Sequence, residues 1–126
     1  MALDSTPVIC RRKHPRFSMP PGTAWLEFPY PAPGGYVCRM RLRDLSASGI
    51  SFLLSNELPG LDIGRTLARA TLIVPGHQLR GEVLVMHLTP DSGKGSVCGA
   101  LFFPRDDEDI LGLQDLIQEL EGAGAR

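Results

Sequence analysis

Hydrophobic and polar positions alternate along much of this chain, in short runs broken by glycine and proline. From Tyr36 to Arg43 the alternation is strict. Tyr36, Cys38, Met40 and Leu42 fall on one set of positions, and Val37, Arg39, Arg41 and Arg43 on the other. A period of two sends successive side chains to opposite faces of a strand, so this run predicts a strand with an arginine face. That face is exposed or turned towards something anionic. Thr23 to Tyr30, with Trp25, Leu26 and Phe28, predicts an earlier strand. Pro29, Pro31 and Pro33 confine its end to an edge or a loop, because proline has no N–H to donate. Ile50 to Leu54, Leu67 to Val74, Gln78 to Leu88 and Ser96 to Phe103 supply four more runs. Pro75-Gly76 is a turn signal between two of them, while 56–64 and 89–95 read as a turn-rich stretch and a loop.

The period then changes. Asp106 or Asp107 can cap a helix running to about Glu121, with Ile110, Leu113, Leu116, Ile117 and Leu120 as its apolar stripe. The acids in its first turn suit the positive end of the helix dipole. Six short strands followed by one amphipathic helix predict a mainly β fold, a small six-stranded antiparallel barrel with a C-terminal helix docked on it. Residues 1–10 are polar and unpatterned and read as a mobile tail. Arg11 to about Pro21 is basic and proline-punctuated and reads as an extended loop. One domain is expected over 11–121, with a short tail at 122–126.

Composition narrows the classes of partner. At 126 residues the chain forms one modest core, and 43% apolar with 21% charged residues is ordinary for a globular protein. A formal net charge of −1 gives no whole-molecule attraction to nucleic acid or anionic lipid, so any anion affinity is local. The basic residues gather at Arg11, Arg12, Lys13 and Arg16 and again at Arg39, Arg41 and Arg43, and the acids towards the C-terminus. No segment has the length of a membrane span, and no apolar stretch near the start reads as a signal peptide. Cys10, Cys38 and Cys98 match neither a disulfide framework nor a zinc pattern, which predicts reduced thiols in the cytoplasm. His77 in a turn and His87 on a strand have no metal-ligand spacing, so no metal or cofactor is expected.

Two short segments carry candidate chemistry. Arg12 and Arg16 place two guanidiniums four residues apart, each able to fork onto phosphate or onto the O6/N7 edge of guanine. Asp44, Ser46 and Gly49 place a carboxylate and a hydroxyl on one face of a strand-like segment ahead of a glycine. Asp44 can accept from a guanine Watson–Crick edge, and Ser46 can donate or accept. Gly49 lets the chain turn with positive φ and lets a ligand lie against the backbone. Taken singly, the first is an exposed basic tail and the second a polar strand-end turn. Together they can hold an anionic, base-bearing ligand. His14 with Asp44 and Ser46 lacks the context of a nucleophile elbow, so the chain does not read as an enzyme.

These residues resemble the PilZ domain family of bacterial cyclic di-GMP receptors, marked by Arg-x-x-x-Arg and a later Asp/Asn-x-Ser-x-x-Gly. Arg12 and Arg16 match the first motif, and Asp44, Ser46 and Gly49 the second. Ile50-Ser51-Phe52, Gly81-Glu82-Val83, Gly99-Ala100-Leu101-Phe102 and the final helix extend the likeness over roughly 11–121. The resemblance implies a PilZ-like split barrel whose arginine-bearing loop folds over cyclic di-GMP. Arg12 and Arg16 would grip phosphates and guanine edges, and Asp44 and Ser46 would address a guanine. Arg11 occupies a position that in some relatives admits a second stacked ligand. The proline-rich end of the first strand and Ser48, where many relatives carry glycine, depart from the pattern.

The reading is therefore a stand-alone receptor that orders its N-terminal Arg loop on the ligand and signals to a protein partner. A PilZ-like interaction module for pilus or motility machinery, without nucleotide, is the alternative. A nucleic-acid-binding barrel using Arg39, Arg41 and Arg43 is a third reading. Net acidity and an aromatic content of 6% count against it. Trp25, read as core or interface, and the terminal helix offer apolar area for a homodimer.

Overall fold

The structure, a computed structural model, describes residues 15–31, 35–54, 58, 60–90 and 95–124. The element order is β1 (Phe17–Ser18), β2 (Trp25–Tyr30), β3 (Tyr36–Leu45), β4 (Gly49–Leu54), β5 (Thr66–Val74), β6 (His77–Pro90), β7 (Ser96–Pro104) and α1 (Asp107–Gly124). Six strands hydrogen-bond in the order β3-β2-β5-β6-β7-β4, and the β3–β4 pairing closes them into a ring. All the pairings are antiparallel. The expected mainly β barrel with a C-terminal helix is the fold observed.

One element differs from the sequence pattern. The stretch expected to be loop from Arg11 to Pro21 contains β1, which pairs Phe17 with Leu45 and Ser18 with Asp44. Two residues carry no period, so alternation cannot reveal such a strand. Phe17 packs against the core and Met19 is buried within it, which anchors β1 at the end of β3. The Met19 N–H donates to the Arg43 carbonyl at 2.8 Å, extending that anchorage.

The strand faces follow the alternation. Leu26, Phe28, Leu42, Ile50, Phe52, Leu72, Val83, Val85 and Cys98 are the large side chains that line the sealed interior. Phe28 meets Phe52 and Tyr30 with ring centroids 6.3 Å apart. Pro29 falls where β2 has lost its second neighbour. Pairing with β5 stops at Glu27 while pairing with β3 runs on to Tyr30, so the missing N–H breaks no ladder. Trp25 lies on the outer face, half-buried rather than in the core, with the Arg39 guanidinium 5.3 Å from its ring. Arg39 also pairs with Glu27 at 2.7 Å, so part of the exposed arginine face finds its anion within the sheet.

The helix docks on β6 and β7, with Leu113 and Leu116 buried against the barrel. Its stripe is rotated from the expected one. Ile110 is 42% exposed, and Asp109 takes the inward place at 4%. The Asp109 carboxylate accepts the Arg80 backbone N–H at 2.9 Å, while Asp106 Oδ1 caps the helix by accepting the Asp109 N–H at 3.3 Å. His77, expected in a turn, begins β6, and its Nε2 lies 3.1 Å from Glu119. It ties the helix to the barrel.

Cys38 and Cys98 are free thiols among the described residues. Burial pushes the Cys98 thiol up to about 12. Because the thiolate is the reactive form, Cys98 should resist alkylation in the folded protein at pH 8 and react once denaturant is added. Mass-spectrometric mapping of iodoacetamide labelling checks this, and labelling of native Cys98 as fast as that of half-exposed Cys38 would contradict it.

Candidate functional site

The second motif sits where β3 turns into β4. Strict alternation would put Asp44 on the inward set with Leu42. A bulge between Leu42 and Asp44 shifts the register by one residue, so Leu45 turns inward and Asp44 stays on the outer face. The bulge thereby creates the carboxylate's exposure. On the neighbouring strand Ser51 is Asp44's direct partner.

Beyond Leu45 the chain makes a tight turn held by Ser46. The Ser46 N–H donates to the Gly49 carbonyl at 2.8 Å. Its Oγ accepts the Gly49 N–H at 3.0 Å and donates back to the Gly49 carbonyl at 3.3 Å. The hydroxyl is 7% exposed as part of its residue and is occupied in the turn. Gly49 does not take the positive φ expected of it, since the positive-φ glycines among the described residues are Gly22, Gly60, Gly64, Gly76 and Gly95. Its small size serves packing instead. A Cβ there would stand 3.1 Å from the Ala100 carbonyl of β7.

The first motif reaches this turn through β1. Pairing of Ser18 with Asp44 and Phe17 with Leu45 fixes where the preceding residue lies, and Arg16 Nη1 donates to Asp44 Oδ1 at 3.1 Å. The side chains are 37% and 20% exposed, so the pair is worth only ~0.2–1 kcal/mol. A ligand bearing stronger acceptors can take the guanidinium from it. Arg11, Arg12 and His14 lie outside the described residues.

Three further residues extend the surface: Ser51 and Gly99, from segments that extended the family likeness without a site role, and His87, which belonged to no motif. In the register of β3, β4, β7 and β6, Asp44 pairs with Ser51, Ser51 with Gly99, and Gly99 with His87. Directly opposed residues share a face, so these four form a transverse row on the outer wall. Ser51 Oγ is buried without a hydrogen-bond partner among the described residues. The His87 side chain packs close over Gly99, where a methyl group would stand 3.3 Å from His87 Cδ2. Adjacency between residues so far apart in sequence is a product of register, which no local pattern reports.

No family model matches the chain, and no curated protein sequence matches it. Solved structures do. The c-di-GMP complex of MrkH from K. pneumonia superimposes with a TM-score of 0.78 at 17% identity, over 92% of this chain and 55% of that one. The PilZ domain of YcgR from Escherichia coli, with c-di-GMP, gives 0.68 at 20% identity, over 90% of this chain and 94% of that one. The fold is PilZ-like. The Bacillus subtilis inhibitor of motility MotI/DgrA adds a TM-score of 0.69 at 17% identity, over 91% of this chain and 51% of that one. The chain thus spans about half the length of MrkH and MotI and nearly all of the isolated YcgR domain. In this PilZ-like barrel no cluster of three or more His, Cys, Asp or Glu is placed to hold a metal among the described residues. No described helix is long and apolar enough to cross a membrane.

Proposed function

We propose that this PilZ-like barrel is a receptor for cyclic di-GMP, bound on the outer wall at Arg16 and Asp44. The observation that carries the reading is the contact between one residue of each motif, Arg16 and Asp44. Residues 28 apart in sequence are brought into a 3.1 Å contact by the pairing of β1 with β3. That the superimposing MrkH and YcgR domains are c-di-GMP complexes supports the choice of ligand.

Each residue then has a role. Arg16 exchanges Asp44 for a phosphate or a guanine O6/N7 edge, and the segment bearing Arg11 and Arg12 closes over the ligand to add further guanidiniums. Asp44, released, accepts from the guanine N1–H and N2–H. Ser46 and Gly49 act mainly by shaping the turn against β7, so the ligand meets a fixed backbone. The exposed His87 ring at the end of the transverse row offers a flat face to a base. Closure changes the surface around β1, which is the signal a protein partner reads. No covalent step is involved.

Calorimetric titration of the folded protein with cyclic di-GMP tests this, with cyclic di-AMP and 3′,5′-cyclic GMP, which carry no diphosphate group, as controls. Selective binding at micromolar affinity or better is expected, and two ligands per chain would implicate Arg11. No heat and no thermal stabilisation would overturn the receptor reading in favour of a protein-interaction module. Binding should also weaken as salt is raised, because the ligand carries two phosphodiester charges.

A further inference from the structure

The seam between β5 and β6 lies across the barrel from the β3–β4 seam, two strands away in either direction round the ring. A cavity of about 670 Å³ opens there, lined by Arg69, Thr71, Arg80, Gly81, Glu82 and Arg105 among others. Neither motif touches it. Three guanidiniums arrive from three elements: a bulge of β5, the first third of β6, and the link from β7 to α1. The last two are held together by the Arg105 N–H, which donates to the Arg80 carbonyl at 2.8 Å.

Arg69 is the anomaly. It sits in the register shift between Leu67 and Ala70, with φ at 57°. It is the non-glycine residue with positive φ among the described residues. The left-handed region is open to glycine and disfavoured for an arginine, whose Cβ crowds the following carbonyl. Packing does not compensate, because the side chain is exposed. No ion pair or hydrogen bond holds its guanidinium among the described residues. The bulge gives the backbone room for this conformation, and strained residues of this kind cluster at ligand sites, which points to the cavity its side chain lines.

Charge decides the class of ligand. Arg80 and Arg105 approach Asp109 and Asp106 at 3.9 and 3.7 Å, beyond hydrogen-bond reach, so among the described residues neither carboxylate takes a hydrogen bond from these guanidiniums. Glu82, at the lining itself, is a third carboxylate near these arginines. A singly charged anion competes poorly with three carboxylates, whereas two linked phosphates present enough charge and enough acceptors for three forks. The volume is that of a small-molecule site. We propose that this seam is a second anion site, built for a diphosphate group and independent of the cyclic di-GMP surface. The group comes either as free pyrophosphate or on a nucleoside diphosphate.

Titration with inorganic pyrophosphate at constant ionic strength tests it, beside orthophosphate, sulfate, and guanosine and adenosine diphosphates. Pyrophosphate should bind saturably and at least ~10-fold more tightly than orthophosphate or sulfate. Nucleoside diphosphates binding better than pyrophosphate would identify the nucleotide as the source, and binding worse would identify the free anion. Arg69→Gly is the decisive variant. It should melt at the same temperature or higher, since glycine takes this φ freely, yet lose pyrophosphate affinity ~10-fold or more. Arg105→Ala should weaken binding similarly. No saturable binding at ~1 mM pyrophosphate would overturn the proposal. So would orthophosphate or sulfate binding equally well, or undiminished binding by folded Arg69→Gly.

Discussion

Gly81→Ala should cost the barrel ~3 kcal/mol or more, a large share of the ~5–15 kcal/mol that holds a domain of this size together. Gly81 is buried on the inward face of β6, where the positions on either side are Leu79 and Val83. A Cβ there would stand 2.2 Å from the Phe103 carbonyl oxygen and 2.9 Å from Phe102 Cζ. The first obstacle is backbone and cannot swing aside. The second is a ring, 4% exposed, that already fills the space a side chain would need. Relief requires β7 to move away from β6, which strains the longest seam of the barrel and the Arg80–Arg105 link beyond it. Gly122→Ala is the contrast: no atom lies within 4 Å of its Cβ, and alanine's helix propensity should add up to ~1 kcal/mol. Denaturant midpoints of the two variants should move in opposite directions. An unchanged midpoint for Gly81→Ala would show that the two strands are not packed this closely.

The second large effect falls on ligand affinity. Arg16→Ala should weaken cyclic di-GMP binding by at least ~10-fold, since hydrogen bonds to a charged group contribute ~1.5–3 kcal/mol each and the exposed ion pair given up in exchange only ~0.2–1. Stability should barely change, because the side chain is 37% exposed and its partner pair is weak. Arg16→Lys keeps the charge and loses the planar fork, so it should recover only part of the affinity. Asp44→Ala separates two roles for Arg16. If the arginine only held Asp44 in place, removing either residue would have the same effect. If both meet the ligand, the losses should differ and the double variant should bind more weakly than either. An affinity unchanged in Arg16→Ala would take that residue out of the site.

Much of this was legible in the chain because it depends on local chemistry. The strict alternation from Tyr36 to Leu42 placed a strand, and from Cys38 to Leu42 its buried and exposed sets fall where a period of two puts them, whereas Tyr36 at the strand's start is exposed. The four later strands and the helix followed from the same periodicities, and Asp106 was recognisable as a cap. What failed was whatever breaks a period or spans elements. β1 has two residues and no pattern. The bulge before Asp44 inverts the phase that alternation would continue, and the carboxylate is outside only because of it. Gly49 looked like a turn glycine and is a packing glycine, a distinction that rests on the Ala100 carbonyl of another strand.

The helix makes the same division in one element. Its apolar spacing was enough to give a docked helix, yet spacing cannot say which of two adjacent lines of residues faces inward when one holds Asp109 and the other Ile110. The bond from the Arg80 N–H to Asp109 decides that, and its donor belongs to β6. By itself, then, the sequence determined the elements, the closed antiparallel class of the fold and the residue types available for an anion, because propensity, period and charge are properties of neighbouring residues. Only the tertiary structure decided which of those residues meet: Arg16 with Asp44 across one seam, and Arg69, Arg80 and Arg105 around one cavity on the other. Register and bulges set those meetings, and both arise from pairing between strands far apart along the chain.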